Sequence, residues 1–112
     1  MEYLDVVERD RVQIEVLLRS DDAADIRDAL LSAAYFDPDW EWVQSQCLIF
    51  SRHHDKNVRW ISAICFGHLA RIHRQLDLEV VLEWLVEMKS DPLVASAAND
   101  ALDDIKFYMK FQ

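Results

Sequence analysis

The sequence predicts an all-α fold, a short α-solenoid of three antiparallel helix pairs with about six helices. The chain of 112 residues has 1 Gly and 2 Pro, which leaves few turn residues for an all-β protein. Hydrophobic residues make up 52% of it, enough for a packed core. Apolar residues recur at helical spacing in segments that follow an aspartate. At this length we expect a single domain over residues 1–112.

The N-terminal segment, residues 3–20, is the most ambiguous element. Val12, Ile14, Val16 and Leu18 alternate as in a strand, although the apolar residues of the segment also fit one helix face. A lone strand would have no partner in this sequence, so we favour a helix.

The other five predicted helices follow aspartates. One covers residues 21–35, and the next covers residues 37–53, with Asp37 as its N-cap and Pro38 in its first turn. The last three begin after Asp55, Asp77 and Asp91. Within the fifth, the glutamates are spaced four residues apart and predict one solvated ridge: Glu79, Glu83 and Glu87.

Internal repeats support this organisation. Residues 55–72 (DKNVRWISAICFGHLARI) align without a gap with residues 91–108 (DPLVASAANDALDDIKFY), at an offset of 36. Residues 21–35 form a weaker third copy at an offset of 32, in which Arg27 matches Arg59. Each copy would be the second helix of a pair, and three pairs are about the minimum for a stable solenoid.

These copies carry a familiar pattern. D-x-x-V-R-x-x-x-A at residues 55–63 and D-P-x-V-x-x-x-A-x-x-A-L-x-x-I at residues 91–105 resemble HEAT repeats, over nearly the whole chain. The resemblance implies an Asp–Arg ladder between neighbouring repeats, with structural roles for Arg27, Asp55, Arg59 and Asp91. The last repeat departs from the pattern, because Ala95 stands where the arginine is expected.

A narrower resemblance concerns function. The GHLARIHRQLD run after the DPDWEWVQ helix is similar to small bacterial HEAT-like proteins, some of which resemble immunity proteins encoded beside secreted or contact-dependent toxins. It implies a protein that neutralises a toxin domain by occlusion, without catalysis. Two alternatives stay open: a regulatory or adaptor HEAT-like module, and a small enzyme or ligand-binding lyase-like protein.

Net charge narrows the choice of partner. A formal charge of −9 and a pI near 4.7 disfavour binding to nucleic acid or to an anionic membrane. The same charge would attract a basic protein, such as a toxin domain that acts on nucleic acid, or it would simply keep the protein soluble. We expect a cytoplasmic protein, since no signal peptide opens the chain and no apolar run approaches membrane-spanning length. We also expect it to be monomeric when free.

A partner-binding row is predicted on the second helices of the pairs, on the side opposite their apolar stripe. The HEAT resemblance places these helices on one continuous concave surface. Gly67 would let a partner approach closely, although it would equally admit a neighbouring helix of this chain. The predicted partner-binding residues are Asp28, Ser32, Tyr35, Trp60, Ile64, Gly67, His68, Arg71, Asp100, Asp103 and Phe107.

Metal binding and catalysis are not expected from the sequence. His68 and His73 are five residues apart and would diverge by roughly 140° on a helix. Cys47 and Cys65 lack C-x-x-C spacing and lie in apolar helical runs, as buried thiols do. We therefore predict no catalytic residues, no metal and no cofactor.

Overall fold

The computed structural model describes residues 6–109, which form six α-helices and no strand. This confirms the predicted all-α class. The helices are α1 (Arg11–Leu18), α2 (Ala23–Phe36), α3 (Trp40–Phe50), α4 (Lys56–His73), α5 (Leu78–Met88) and α6 (Ala95–Met109). Residues 3–5 of the ambiguous N-terminal segment lie outside the described residues, residues 6–10 are not helical, and the predicted helix is confirmed over Arg11–Leu18.

The second helices of the three pairs pack side by side. α4 contacts α2 on one side and α6 on the other, while α1 packs on α2, α3 on α4 and α5 on α6. α4 and α6 run in the same direction: Arg59 contacts Asp91 near their starts, and Arg74 lies over the Tyr108 ring near their ends. The result is a repeat-like stack with an α2–α4–α6 layer and an α1–α3–α5 layer.

Small residues allow the helices of the α2–α4–α6 layer to approach closely. The middle helix is buried on most of its circumference, with Phe66 and Leu69 fully buried at its centre. Alanines and one glycine lie among its buried positions and those of its neighbours, so that backbones come near one another. These small buried residues are Ala29, Ala33, Ala34, Ala63, Gly67, Ala70, Ala97, Ala98 and Ala101.

Aspartates cap the first five helices, because their carboxylates accept the unsatisfied N–H groups of the first turn. The predicted caps Asp55 and Asp77 are confirmed. The prediction that Asp37 caps α3 is wrong: Asp39 accepts the N–H of Trp42 at 3.2 Å and is the N-cap of that helix. Asp37 instead accepts the N–H of Asp39 and pairs with Arg11.

The start of α6 also differs from the prediction. Asp91 accepts the N–H of Leu93 at 3.0 Å within a turn, and the helix begins only at Ala95. The N–H of Val94 is bonded to the Asp91 carbonyl, so residues 91–94 close a turn before the regular helix starts. Asp91 therefore stabilises the turn that leads into α6.

One ion pair ties α1 to the connection between α2 and α3. Arg11 Nε lies 2.9 Å from Asp37 Oδ2, and Arg11 Nη2 lies 3.2 Å from Asp37 Oδ1 and 3.6 Å from Asp39 Oδ2. The same guanidinium stacks 3.8 Å over the Trp42 ring. Burial raises the pKa of Asp37, but the hydrogen bonds from Arg11 and from the Asp39 N–H outweigh it and leave the pKa below its ordinary value.

We expect Asp37→Asn to lower the free energy of unfolding by about 1–2 kcal/mol at pH 7, because it breaks a charge-assisted pair. The folded-state pKa lies below the ordinary 3.8, so this contribution is present above pH 3.8 and disappears as pH falls through the folded-state value. Urea unfolding at pH 7 and in the acid range measures it. Asp21→Asn, at an exposed carboxylate, is the control; an equal loss in both variants would contradict the assignment.

Candidate partner-binding surface

The structure divides the predicted partner-binding row by exposure. Asp100, Asp103 and Phe107 on α6 are exposed, with Phe107 at 70%. Five residues are half-buried: Asp28, Tyr35, Trp60, Ile64 and Arg71. Three are buried: Ser32, Gly67 and His68. The expectation of one continuous exposed row is therefore corrected, since neighbouring helices cover its centre.

Gly67 is buried because α6 crosses it. A Cβ at this position would lie 2.7 Å from Asp104 Oδ2, 3.3 Å from Asp104 Cβ and 3.4 Å from Ala101 Cα. The glycine thus admits a neighbouring helix of this chain, which is the alternative that the sequence left open. The Asp104 carboxyl is drawn into the helix interface, where burial, followed by the charges of Asp100 and Asp103, raises its pKa against the opposing effect of Arg71.

His68 belongs to a polar cluster between α2 and α4. Arg71 Nη2 donates to His68 Nδ1 at 3.2 Å and to the Tyr35 hydroxyl at 3.3 Å. The Tyr35 and His68 rings meet edge to face with centroids 5.0 Å apart. Because Nδ1 accepts a bond from a cation, the imidazole is neutral. Burial, followed by the Arg71 charge, lowers the pKa of His68 to about 4. The cluster joins two helices inside the protein.

One Asp–Arg pair among the four predicted ladder residues is in contact in the structure, namely Arg59 with Asp91. Arg59 Nε lies 3.6 Å from Asp91 Oδ2, and Arg59 Nη1 donates to the carbonyls of His53 and His54 at 2.9 and 3.0 Å. This arginine therefore links the α3–α4 connection to the start of the third unit. The equivalent Arg27 pairs with its neighbour Asp28 at 3.1 Å, and Asp55 serves as the cap of α4. Within residues 6–109 no ion pair joins Arg27 to Asp55.

The potentially reactive side chains of residues 6–109 are held in packing contacts. The described part of the chain holds no group of three or more His, Cys, Asp or Glu side chains that could bind a metal ion. Cys47 and Cys65 are buried free thiols, and a hydrogen bond with Cys47, together with burial, raises the pKa of Cys65. A thiol of raised pKa is a poor nucleophile. His73 Nε2 lies 3.0 Å from the Ala34 carbonyl, whereas His68 Nδ1 lies 3.2 Å from Arg71 Nη2, so the two rings have different partners.

A second surface, which the sequence analysis did not predict as a binding site, lies in the α1–α3–α5 layer. A groove of about 310 Å³ separates α3 from α5 and is lined by Leu48, Arg52, Val80, Glu83, Trp84 and Glu87. The predicted ridge is exposed at all three of its glutamates. Only the spacing of the glutamates around Trp84 in α5 hinted at the groove, because its other wall comes from α3, more than 25 residues earlier.

Among the described helices, none is long and apolar enough to cross a bilayer.

We expect Gly67→Leu to destabilise the protein by about 1–3 kcal/mol, because the larger side chain forces α6 away from α4. Leucine forms helix better than glycine, so the steric effect acts against a propensity gain of nearly 1 kcal/mol. Thermal or urea unfolding measures the change. Ala24→Leu, at an exposed position of α2, is the control and should shift stability little. Unchanged stability in Gly67→Leu would contradict the packing described above.

We expect His68 to titrate near pH 4 in the folded protein. Since the ordinary value is 6.5, the unfolded chain binds more protons between these two values, and stability falls as pH drops through that window. The full loss is about 3 kcal/mol. NMR of the histidine ring carbons against pH gives the titration directly, and urea unfolding at several pH values gives the stability. Titration near 6.5 would show that the ring is solvated.

No protein-family model matches the chain, and neither does any curated protein. Among solved structures, it is similar to a chain in the crystal structure of a CDI complex from Cupriavidus taiwanensis LMG 19424. The two share 36% sequence identity at a TM-score of 0.85, over 96% of this chain and 97% of that chain. At this identity and coverage, the protein belongs to the same family as that component of the CDI complex.

Proposed function

We propose that this protein is an immunity protein of a contact-dependent growth inhibition (CDI) system. It binds the toxin domain of that system and neutralises it by occlusion. The observation that carries the proposal is the full-length likeness to a chain of a CDI complex at 36% identity. Such complexes join a toxin domain to its immunity protein, and a small acidic chain suits the second of these roles. The function requires a stable binding surface and no catalysis by this chain.

Charge supports a basic partner. The formal charge of −9 gives the protein a negative field that accelerates encounter with a cationic surface and disfavours other acidic proteins. Toxin domains that cleave or modify nucleic acid need a basic surface to hold the phosphate backbone. An acidic immunity protein that covers this surface excludes the substrate and neutralises the toxin in one step. We therefore propose a nucleic-acid-targeting toxin as the partner, met in the cytoplasm by a monomeric immunity protein.

The contact surface we propose is the exposed remainder of the predicted row, centred on α6. Asp100 and Asp103 are exposed and lie about one turn apart, so one cationic side chain of a partner reaches both. Phe107, one further turn along, is an exposed aromatic side chain of the kind that anchors protein interfaces. Half-buried Trp60 and Ile64 on α4 would extend the contact, as would Asp28, Tyr35 and Arg71.

The buried members of the row have a supporting role in this proposal. Gly67 holds α6 close to α4, and His68 helps to fix α2 against α4. They keep the exposed residues of α6 and α4 on a rigid frame, which lowers the entropy lost when a partner binds.

We expect Asp100→Lys with Asp103→Lys to weaken toxin binding about tenfold or more, because two attractive contacts become repulsive. The probe is the inactivated toxin domain of the same CDI system, and binding is measured by titration calorimetry and by protection of cells from the active toxin. Glu8→Lys with Asp21→Lys is the control, since it makes the same charge change at exposed positions elsewhere.

Two other outcomes are informative. Equal weakening by the control pair would show that net charge alone matters and would contradict the α6 contact. No binding of the toxin domain by the unmodified protein would contradict the immunity role and favour a regulatory or adaptor partner.

A further inference from the structure

The groove between α3 and α5 has the features of a binding site. It encloses about 310 Å³, and one face of its wall is apolar, formed by Leu48 and Val80. Trp84, which also lines the groove, is half-buried, and its Nε1 donates to Ser51 Oγ at 2.7 Å. Because this hydrogen bond fixes the indole, this part of the groove lining is preformed.

The charged residues of the groove are not neutralised by one another. Glu83 and Glu87 are exposed and one turn apart, and neither forms an ion pair within residues 6–109. Arg52, which lines the same groove, lies with its guanidinium 3.9 Å over the Trp84 ring and donates to the Leu48 carbonyl at 3.1 Å. The arginine is thus held against its own wall, and the two carboxylates remain open to an incoming cation.

We propose that this groove binds a basic segment of the toxin, with a lysine or arginine directed at Glu83 and Glu87 and an aliphatic residue against Leu48 and Val80. This inference rests on the proposed function, since its occupant belongs to the toxin. Lysine and arginine suit the groove because their aliphatic stems cover apolar surface while their charged ends reach carboxylates. Arg52 already covers a face of the Trp84 ring, so the carboxylates of Glu83 and Glu87 are the groups that an incoming cation meets.

The packing of the helices fits a loop or tail as this segment. α5, which forms one wall of the groove, packs on α6. A toxin domain seated on the exposed face of α6 therefore lies next to the helix that carries Val80, Glu83 and Glu87, and holding both surfaces at once slows dissociation of the complex.

The test compares three double charge reversals in binding to the inactivated toxin domain of the same CDI system: Glu83→Lys with Glu87→Lys, Asp100→Lys with Asp103→Lys, and the control Glu8→Lys with Asp21→Lys. All six positions are exposed, so folding should survive. All three variants change net charge equally, which separates local contact from long-range attraction. We expect the groove variant to bind about tenfold more weakly than the control, mainly through faster dissociation.

An apolar pair of variants provides the second readout. Val80→Ser removes part of the groove wall, whereas Val12→Ser changes a more exposed valine of α1, which is 71% exposed. We expect about threefold to tenfold weaker binding for Val80→Ser and no change for Val12→Ser. A photo-crosslinking residue at position 80 should capture the toxin, and the same residue at position 12 should not.

The outcomes separate the two proposals. If the unmodified protein binds the toxin but the groove variants match their controls within about twofold and position 80 captures nothing, the groove inference is overturned and the immunity role stands. If the unmodified protein does not bind the toxin, the proposed function fails and the groove inference fails with it.

Discussion

The burial of α4 between two helices of its own layer is the constraint on which the rest of the structure depends. α2, α3 and α6 all contact this helix, so only its first two residues, Lys56 and Asn57, are exposed. Side chains at the contacts must be small for the backbones to approach, and Gly67 sits where Asp104 and Ala101 come nearest. A larger residue would have to displace α6, and with it the exposed acidic residues that we assign to partner binding.

Burial on this scale favours polar side chains of α4 that form hydrogen bonds inside the protein. Ser62 donates to the Val58 carbonyl one turn back at 2.8 Å, and His68 accepts from Arg71. His68 thus stabilises the contact between α2 and α4, and its lowered pKa follows from the same burial. A perturbed pKa can mark a catalytic group, but burial, followed by the charge of Arg71, accounts for the lowered pKa of His68.

Local patterns in the sequence predicted the local features of the structure. Apolar spacing and capping aspartates located the helices, because both act over a few residues. The N-cap of α3 was misassigned since Asp37 pairs with Arg11, 26 residues earlier, and no local rule shows such a partner. The resemblance to HEAT repeats pointed to Arg59 and Asp91, which lie 3.6 Å apart, whereas Arg27 pairs with the adjacent Asp28.

The candidate site was harder to predict than the fold, for a physical reason. A helical wheel identifies the residues opposite the apolar stripe, but whether they are exposed depends on how many neighbours the helix has. α6 has α4 and α5 as its main neighbours and keeps Asp103 and Phe107 exposed, while α4 is enclosed and buries Gly67. The α3–α5 groove depends on two helices that barely meet, which spacing along the chain cannot reveal.

Several arginines of the protein are engaged in internal contacts, which leaves exposed carboxylates available to a basic partner. The chain has 12 Lys and Arg residues against 21 Asp and Glu residues. Several arginines are held by internal contacts, either on a carboxylate or over an aromatic ring: Arg11, Arg27, Arg52, Arg59, Arg71 and Arg74. Within residues 6–109, none of these arginines forms an ion pair with the exposed carboxylates of α5 and α6. The excess of negative charge is therefore concentrated on rigid helices, where a cationic protein meets acids whose own neighbours do not compete for them.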